Sequence, residues 1–165
     1  MMVTFPKQEV LDCCAQYGPM LKLPAGLDGR KVMASIASNE SSTGANCGPR
    51  HEPAYDVGGA LSKGSQQANA LEEFGSAAAC SYGMFQMMFL NFSESAQEKI
   101  ASGVGDVDLY SIEFVRFFNA YVIGARHAQT LTDIGQIWNC GHKTDSPSAG
   151  VALYCQHLQA AYDAA

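Results

Sequence analysis

Charge is scarce in this chain. Only 16% of its 165 residues are Asp, Glu, Lys or Arg, and the longest basic cluster is Arg30-Lys31. It therefore lacks the basic stripe with which a protein releases counterions from nucleic-acid phosphates, and no nucleic-acid partner is expected. A net charge of -6 and a pI near 5.0 also disfavour unaided adhesion to an anionic polymer or membrane. Long apolar runs are missing too. The most apolar stretch, Tyr82 to Phe92, is broken by Gly83, Gln86 and Asn91, short of the roughly 20 residues that span a bilayer. The first residues, MMVTFPKQEV, show no basic region followed by an apolar core, which predicts a chain made in the cytoplasm without an export signal. The six cysteines, Cys13, Cys14, Cys47, Cys80, Cys140 and Cys155, include no C-x-x-C pair, and no histidine stands at zinc-finger spacing from them. Neither a metal nor another cofactor is expected. The cysteines read mostly as small buried residues, with a Cys47 bridge to Cys80 or Cys140 left open.

What is present suits one compact core. Hydrophobic residues make up 47% of the chain, and a domain of this length buries close to 70% of its unfolded surface, so residues 1–165 are expected to form a single domain. Helical periodicity recurs along it. A first helix starts near Phe5-Pro6, shows Val10, Cys14 and Tyr17 on one face, and stops at Gly18-Pro19. Arg30 to Asn39, Gln66 to Phe74 and Glu94 to Ser102 follow, the last capped by Ser93 and stopped by Gly103. Asp108 opens Leu109 to Val122, whose stripe of Ile112, Val115, Phe118 and Val122, widened by Phe114, Phe117 and Tyr121, suggests a central structural helix. Thr130 and Asp133 fit a capping box for a helix that runs into a turn at Trp138-Asn139-Cys140-Gly141. Ser146-Pro147 caps a final helix with Val151, Tyr154, Cys155, Leu158 and Tyr162 on one side. The expectation is a mainly α protein of six or seven helices, with at most a small β-hairpin near residues 47–59.

Ile36 to Pro53, IASNESSTGANCGPRHEP, combines a helix end with two acids, Glu40 and Glu52. The partial negative charge of a helix C-terminus disfavours a second negative charge and raises a carboxyl pKa, the direction a general acid needs. Local physics equally allows Glu40 to be an ordinary solvated residue. Arg50 and Glu52 flank His51 and would share one face of an extended segment, as an ion pair or as a carboxylate opposite Glu40. Gln86 is an amide embedded in an apolar stretch, either satisfied in the core or turned to a sugar hydroxyl or acetamido group. Trp138, the only tryptophan, could be core or a stacking wall for a sugar ring.

Three segments stand in order: Glu40-Ser41-Ser42, then Ser81-Tyr82-Gly83-Met84-Phe85-Gln86, then Trp138-Asn139-Cys140-Gly141. Together they resemble the E-S, G-(L/M)-x-Q and Y-N-x-G motifs of the lysozyme-like superfamily, in particular soluble lytic transglycosylases and goose-type lysozymes. RHEPAY with SYGMFQMMFLNF resembles the N-acetylmuramidase branch of phage endolysins. The resemblance implies an α+β lysozyme-like fold and cleavage of bacterial peptidoglycan between N-acetylmuramic acid and N-acetylglucosamine. Under it Glu40 is the acid, Glu52 or Asp56 the second carboxylate, unless the substrate's acetamido oxygen takes that place. Ser41, Tyr82, Gly83, Gln86, Trp138 and Asn139 are the implied substrate contacts. Trp138 departs from the motif's tyrosine, and the 43 residues from Glu40 to Gly83 exceed the usual transglycosylase spacing. The partners implied are glycan strands, with a virion or secretion-system partner compatible with the missing leader. Two other classes stand beside it: a non-catalytic wall-binding or virion structural protein of the same fold, and a cysteine or metal enzyme using His51, His127 or His142, which no spacing supports.

Overall fold

The computed structural model describes residues 4–165. Among them seven α-helices and three very short strands surround one continuous core. The architecture is mainly α, as the periodicity predicts. Helix α1 spans Lys7–Tyr17 and buries Val10, Cys13, Cys14 and Tyr17. Helix α2, Gly29–Ser41, starts where the Asp28 side chain accepts from Arg30 N at 2.8 Å. It ends on left-handed Ser42, and Val32, Met33, Ile36 and Ala37 are its fully buried stripe.

The sheet is three-stranded and antiparallel, in the order β1 (Arg50–His51), β2 (Cys80–Tyr82), β3 (Met87–Met88). No hairpin closes within residues 47–59. Arg50 lies opposite Ser81 and His51 opposite Cys80, while Ser81 lies opposite Met88. The hairpin is the β2–β3 pair, turned by Gly83 at φ +73° and Gln86 at φ +47°. A Cβ on Gly83 would stand 2.6 Å from the Tyr110 ring, so only glycine fits there.

Helix α3, Ser65–Phe74, stops at Gly75. Helix α4, Glu94–Ala101, has Ser93 at its start, but the Ser93 hydroxyl donates to Glu113 Oε1 at 2.7 Å and caps nothing. Helix α5, Val107–Phe117, is capped by Asp106, which accepts from Leu109 N. Asp108, expected as the opener, instead accepts from Tyr17 Oη at 2.9 Å. Ile112, expected on the apolar stripe, is 51% exposed; Phe114, Phe118 and Val122 face the core. From Phe118 to Ala125 the helix widens into a π-helix, a rare form that is frequent at functional sites.

Helix α6, Leu131–Cys140, opens on the Thr130 hydroxyl, which accepts from Asp133 N, and closes on left-handed Gly141. Trp138 and Asn139 thus lie in its last turn, not in a loop. Helix α7, Ala149–Ala164, is capped by Ser148, two residues after the expected Ser146. It packs along α2 and α6, while α1 packs on α2 and α5. Phe85, Phe114, Phe118, Met33 and Ile36, each at most 1% exposed, fill the centre. No helix among the described residues is long and apolar enough to cross a membrane.

Candidate active site

A cleft of about 510 Å³ opens between the end of α2, the small sheet, the π-helical segment and the end of α6. Glu40, Arg50, Glu52, Gln86, Trp138 and Asn139 all line it, so the three sequence segments meet in space. Glu40 stands in the last turn of α2, partly buried, with Tyr154 Oη donating to its Oε1 at 2.8 Å. Burial pushes the Glu40 carboxyl above its ordinary range. The hydroxyl of Tyr154, the charge of Arg50 and the indole of Trp138 pull it back in part, and the charge of Glu52 adds to the rise. The net direction is upward, which keeps a proton on Glu40 closer to neutral pH.

Glu52 reaches the cleft through the sheet. Its N–H donates to Ala79 O at 2.8 Å, and its Oε1 accepts from Arg50 Nε at 2.7 Å. The ion pair and the place in the cleft therefore hold together; they are not alternatives. The Ser81 hydroxyl lies 3.2 Å from the same Glu52 oxygen and 2.9 Å from Gln86 Oε1, so its single proton sits between two acceptors. Asp56, the second choice for this role, does not line the cleft. It pairs with His51 at 2.7 Å, and hydrogen bonds from Val57 N and from His51 hold its carboxyl low.

Gln86 faces the cleft, yet its amide is engaged with the protein. Its Nε2 donates to Gly83 O at 2.8 Å and to Gly48 O at 3.4 Å, tying the β2–β3 turn to the loop before β1. It shapes the wall and leaves little free hydrogen-bonding capacity for a sugar. Three other expected contacts lie outside the cleft. Ser41 is fully buried; its hydroxyl donates to Ala37 O and accepts from Gly44 N, closing the end of α2. Tyr82 is buried against Phe89 and Phe92 and donates to Ala77 O. Gly83 turns the hairpin against Tyr110. Each supports the cleft from behind because the apolar side of a two-sided segment is spent on the core.

Trp138 is both core and wall. It packs on Phe114 and Phe118, and its ring meets Phe117 edge-on at 6.0 Å. Phe117 stacks on Tyr121 at 5.1 Å, and both line the cleft. The π-helical segment carries Tyr121 there, where its hydroxyl donates to Gly141 O at 3.1 Å and Arg126 covers its ring. Sequence reasoning read Phe117 and Tyr121 as structural; their i,i+4 spacing beyond the main stripe was the available signal. It also read Tyr154 as one of a helix's apolar residues. A tyrosine on a buried face commonly marks a hydroxyl with a partner.

The six cysteines are free thiols. Cys47 donates to Gly44 O and Cys140 to His142 O, so neither proposed bridge is made. Among the described residues no cluster of His, Cys, Asp and Glu is arranged to hold a metal. Chemically, the cleft offers one partly desolvated carboxyl, one carboxylate held by a guanidinium, and an aromatic wall. Compared with protein families, curated proteins and solved structures, the chain matches none of them, so its function has to be read from the chemistry of this cleft.

Proposed function

We propose that this protein is a muramidase that breaks the bond between N-acetylmuramic acid and N-acetylglucosamine in peptidoglycan, with Glu40 as general acid. The observation that carries the reading is Glu40 itself. Burial raises the proton affinity of its carboxyl, and it shares the cleft with Glu52 and the aromatic wall of Trp138, Phe117 and Tyr121. A carboxyl tuned upward across a cleft from a second carboxyl group is an arrangement that glycoside cleavage uses. Glu40 delivers its proton to the glycosidic oxygen as the C1–O bond breaks, and the leaving sugar departs as an alcohol. The oxocarbenium-like centre left behind is captured by water, giving a reducing end, or by the sugar's own 6-hydroxyl, giving a 1,6-anhydro end, and the proton released in either case returns to the Glu40 carboxylate. The aromatic wall offers apolar faces for sugar rings.

The test is Glu40→Gln on purified peptidoglycan, with released fragments read by mass spectrometry. Loss of a general acid lowers kcat by about 10²- to 10⁴-fold. The same spectra separate reducing from anhydro ends. A variant that keeps wild-type turnover removes Glu40 from the reaction. Wild-type protein that binds wall and releases nothing over hours leaves the wall-binding or virion structural reading in its place. A partner that carries the protein to the wall, in a virion or through a secretion system, belongs to the same proposal.

A further inference from the structure

The contact between Tyr154 and Glu40 joins residues 114 positions apart and brings the last helix into the cleft's chemistry. Helix α7 lies along α2, and Asn39 Nδ2 reaches across to Tyr154 O at 3.3 Å, fixing the phenol beside the neighbouring residue Glu40. We propose that Tyr154 is the positioning residue of the acid: its hydroxyl holds Glu40 Oε1, so that Oε2 is presented to the ligand in the cleft. This role rests on the reading of Glu40 as the proton donor.

The geometry assigns the phenol a single job. It has a carboxylate oxygen at 2.8 Å as acceptor, and it sits on a helix that otherwise contributes Val151 and Leu158 to the core. Burial, and then the charge of Glu40, hold the Tyr154 hydroxyl well above its usual range, so it remains a donor across the working pH. The charged groups that act on Glu40 are Arg50 and Glu52 from β1 and its continuation and Tyr154 from α7; those that act on Tyr154 are Glu40 and Cys155. Of these, Tyr154 makes the 2.8 Å hydrogen bond to the Glu40 carboxyl, and the indole of Trp138 is the other neutral donor that favours its ionised form. The Tyr154 donation favours the ionised acid and fixes which oxygen is free. Without it, desolvation acts with less opposition and the carboxyl can rotate.

Tyr154→Phe keeps the ring and removes only the hydroxyl. The Glu40 carboxyl carbon, followed by NMR in protein labelled at glutamate and assigned with Glu40→Gln, is expected to titrate at higher pH in the variant than in the wild type. The alkaline limb of the pH–rate profile on purified peptidoglycan should move upward with it. At the plateau kcat should fall about ten- to a hundredfold with KM little changed, the cost of a misaligned proton donor. Tyr162→Phe is the control. Tyr162 lies on the same helix and accepts from Asp28 N away from the cleft, so its removal loosens α7 without touching Glu40. An unchanged Glu40 titration in folded Tyr154→Phe overturns the proposal, as does an equal shift in Tyr162→Phe. A wild type that turns over no wall while its Glu40 titration still moves in Tyr154→Phe sinks the muramidase reading and upholds the hydrogen bond's control of the carboxyl.

Discussion

Glu113→Ala is expected to destabilise the domain by about 2–3 kcal/mol at pH 7. Glu113 is 6% exposed and accepts three hydrogen bonds: Ser93 N at 2.8 Å, Ser93 Oγ at 2.7 Å and Arg116 Nε at 2.8 Å. Alanine leaves both Ser93 donors without this acceptor, at about 1 kcal/mol each or more. Arg116 is 44% exposed at its side chain, so its freed guanidinium is rehydrated and adds only a few tenths of a kcal/mol. Better helix propensity at the new alanine offsets a similar amount. For a chain of this length the loss corresponds to about 5–10 °C in Tm. Acid should narrow the gap. Burial alone would raise the Glu113 carboxyl, but the hydroxyl and N–H of Ser93 and the Arg116 guanidinium outweigh it and hold it below its ordinary range. A carboxyl depressed in the folded state stabilises above its unfolded titration, and that contribution is lost as the pH falls through the folded one. Urea unfolding followed by circular dichroism at pH 7 and near pH 3 reads both quantities. A difference below about 0.5 kcal/mol at pH 7 would refute the reasoning, being no more than an ordinary surface substitution gives. So would a gap that does not narrow in acid. Arg116 also donates through Nη2 to Asn91 O, and Asn91 lines the cleft, so under the proposed muramidase function the variant should raise KM on peptidoglycan as well.

Gly83→Ala meets both a positive φ and the Tyr110 ring, and should cost at least about 1–3 kcal/mol by thermal melting; a change within error would mean that the hairpin turns differently. Glu40→Gln should melt higher than the wild type at pH 7–8 and alike near pH 3. A carboxyl raised by burial costs the folded state more as the pH climbs through its titration, so a constant difference between the two would argue against a desolvated Glu40. Thiol labelling of the native protein at pH 8 should modify Cys140, Cys80 and Cys155 well before Cys13, Cys14 and Cys47. The latter three are buried, with the thiols pushed up to about 11 for Cys13 and about 12 for Cys14. Fast labelling of Cys14 would contradict the packing of α1.

The helices could be read locally because the signals that start and stop them are local. Gly75 ends α3 as expected and Thr130 caps α6 through the residue expected, whereas α6 runs on through Trp138 and Asn139, where a turn is expected, to close at Gly141. Caps failed where two polar residues competed. Asp106 took the start of α5 because Asp108 was recruited by Tyr17, and Ser93 gave its hydroxyl to Glu113 instead of its own helix. Periodicity also misjudged Ile112: the face that α5 buries runs through Val107, Tyr110, Ser111 and Phe114, and Ile112 stands off it, before the π-helical segment begins.

By itself the sequence determined a mainly α chain, the placement of Glu40 at a helix end, and the three segments that line up along it. Those follow from hydrophobic spacing and terminus chemistry, which neighbouring residues carry between them. Only the tertiary structure decided what Glu40 faces. Pairing of β1 with β2 brings Glu52 to Ser81, 29 residues on, and the packing of α7 on α2 delivers Tyr154 to the carboxyl. It also sent Ser41, Tyr82 and Gly83 behind the cleft wall and turned Tyr121 into it. The physical reason is that burial of one face is encoded along the chain, whereas the partner of a polar group is chosen by elements that meet only after the core has formed.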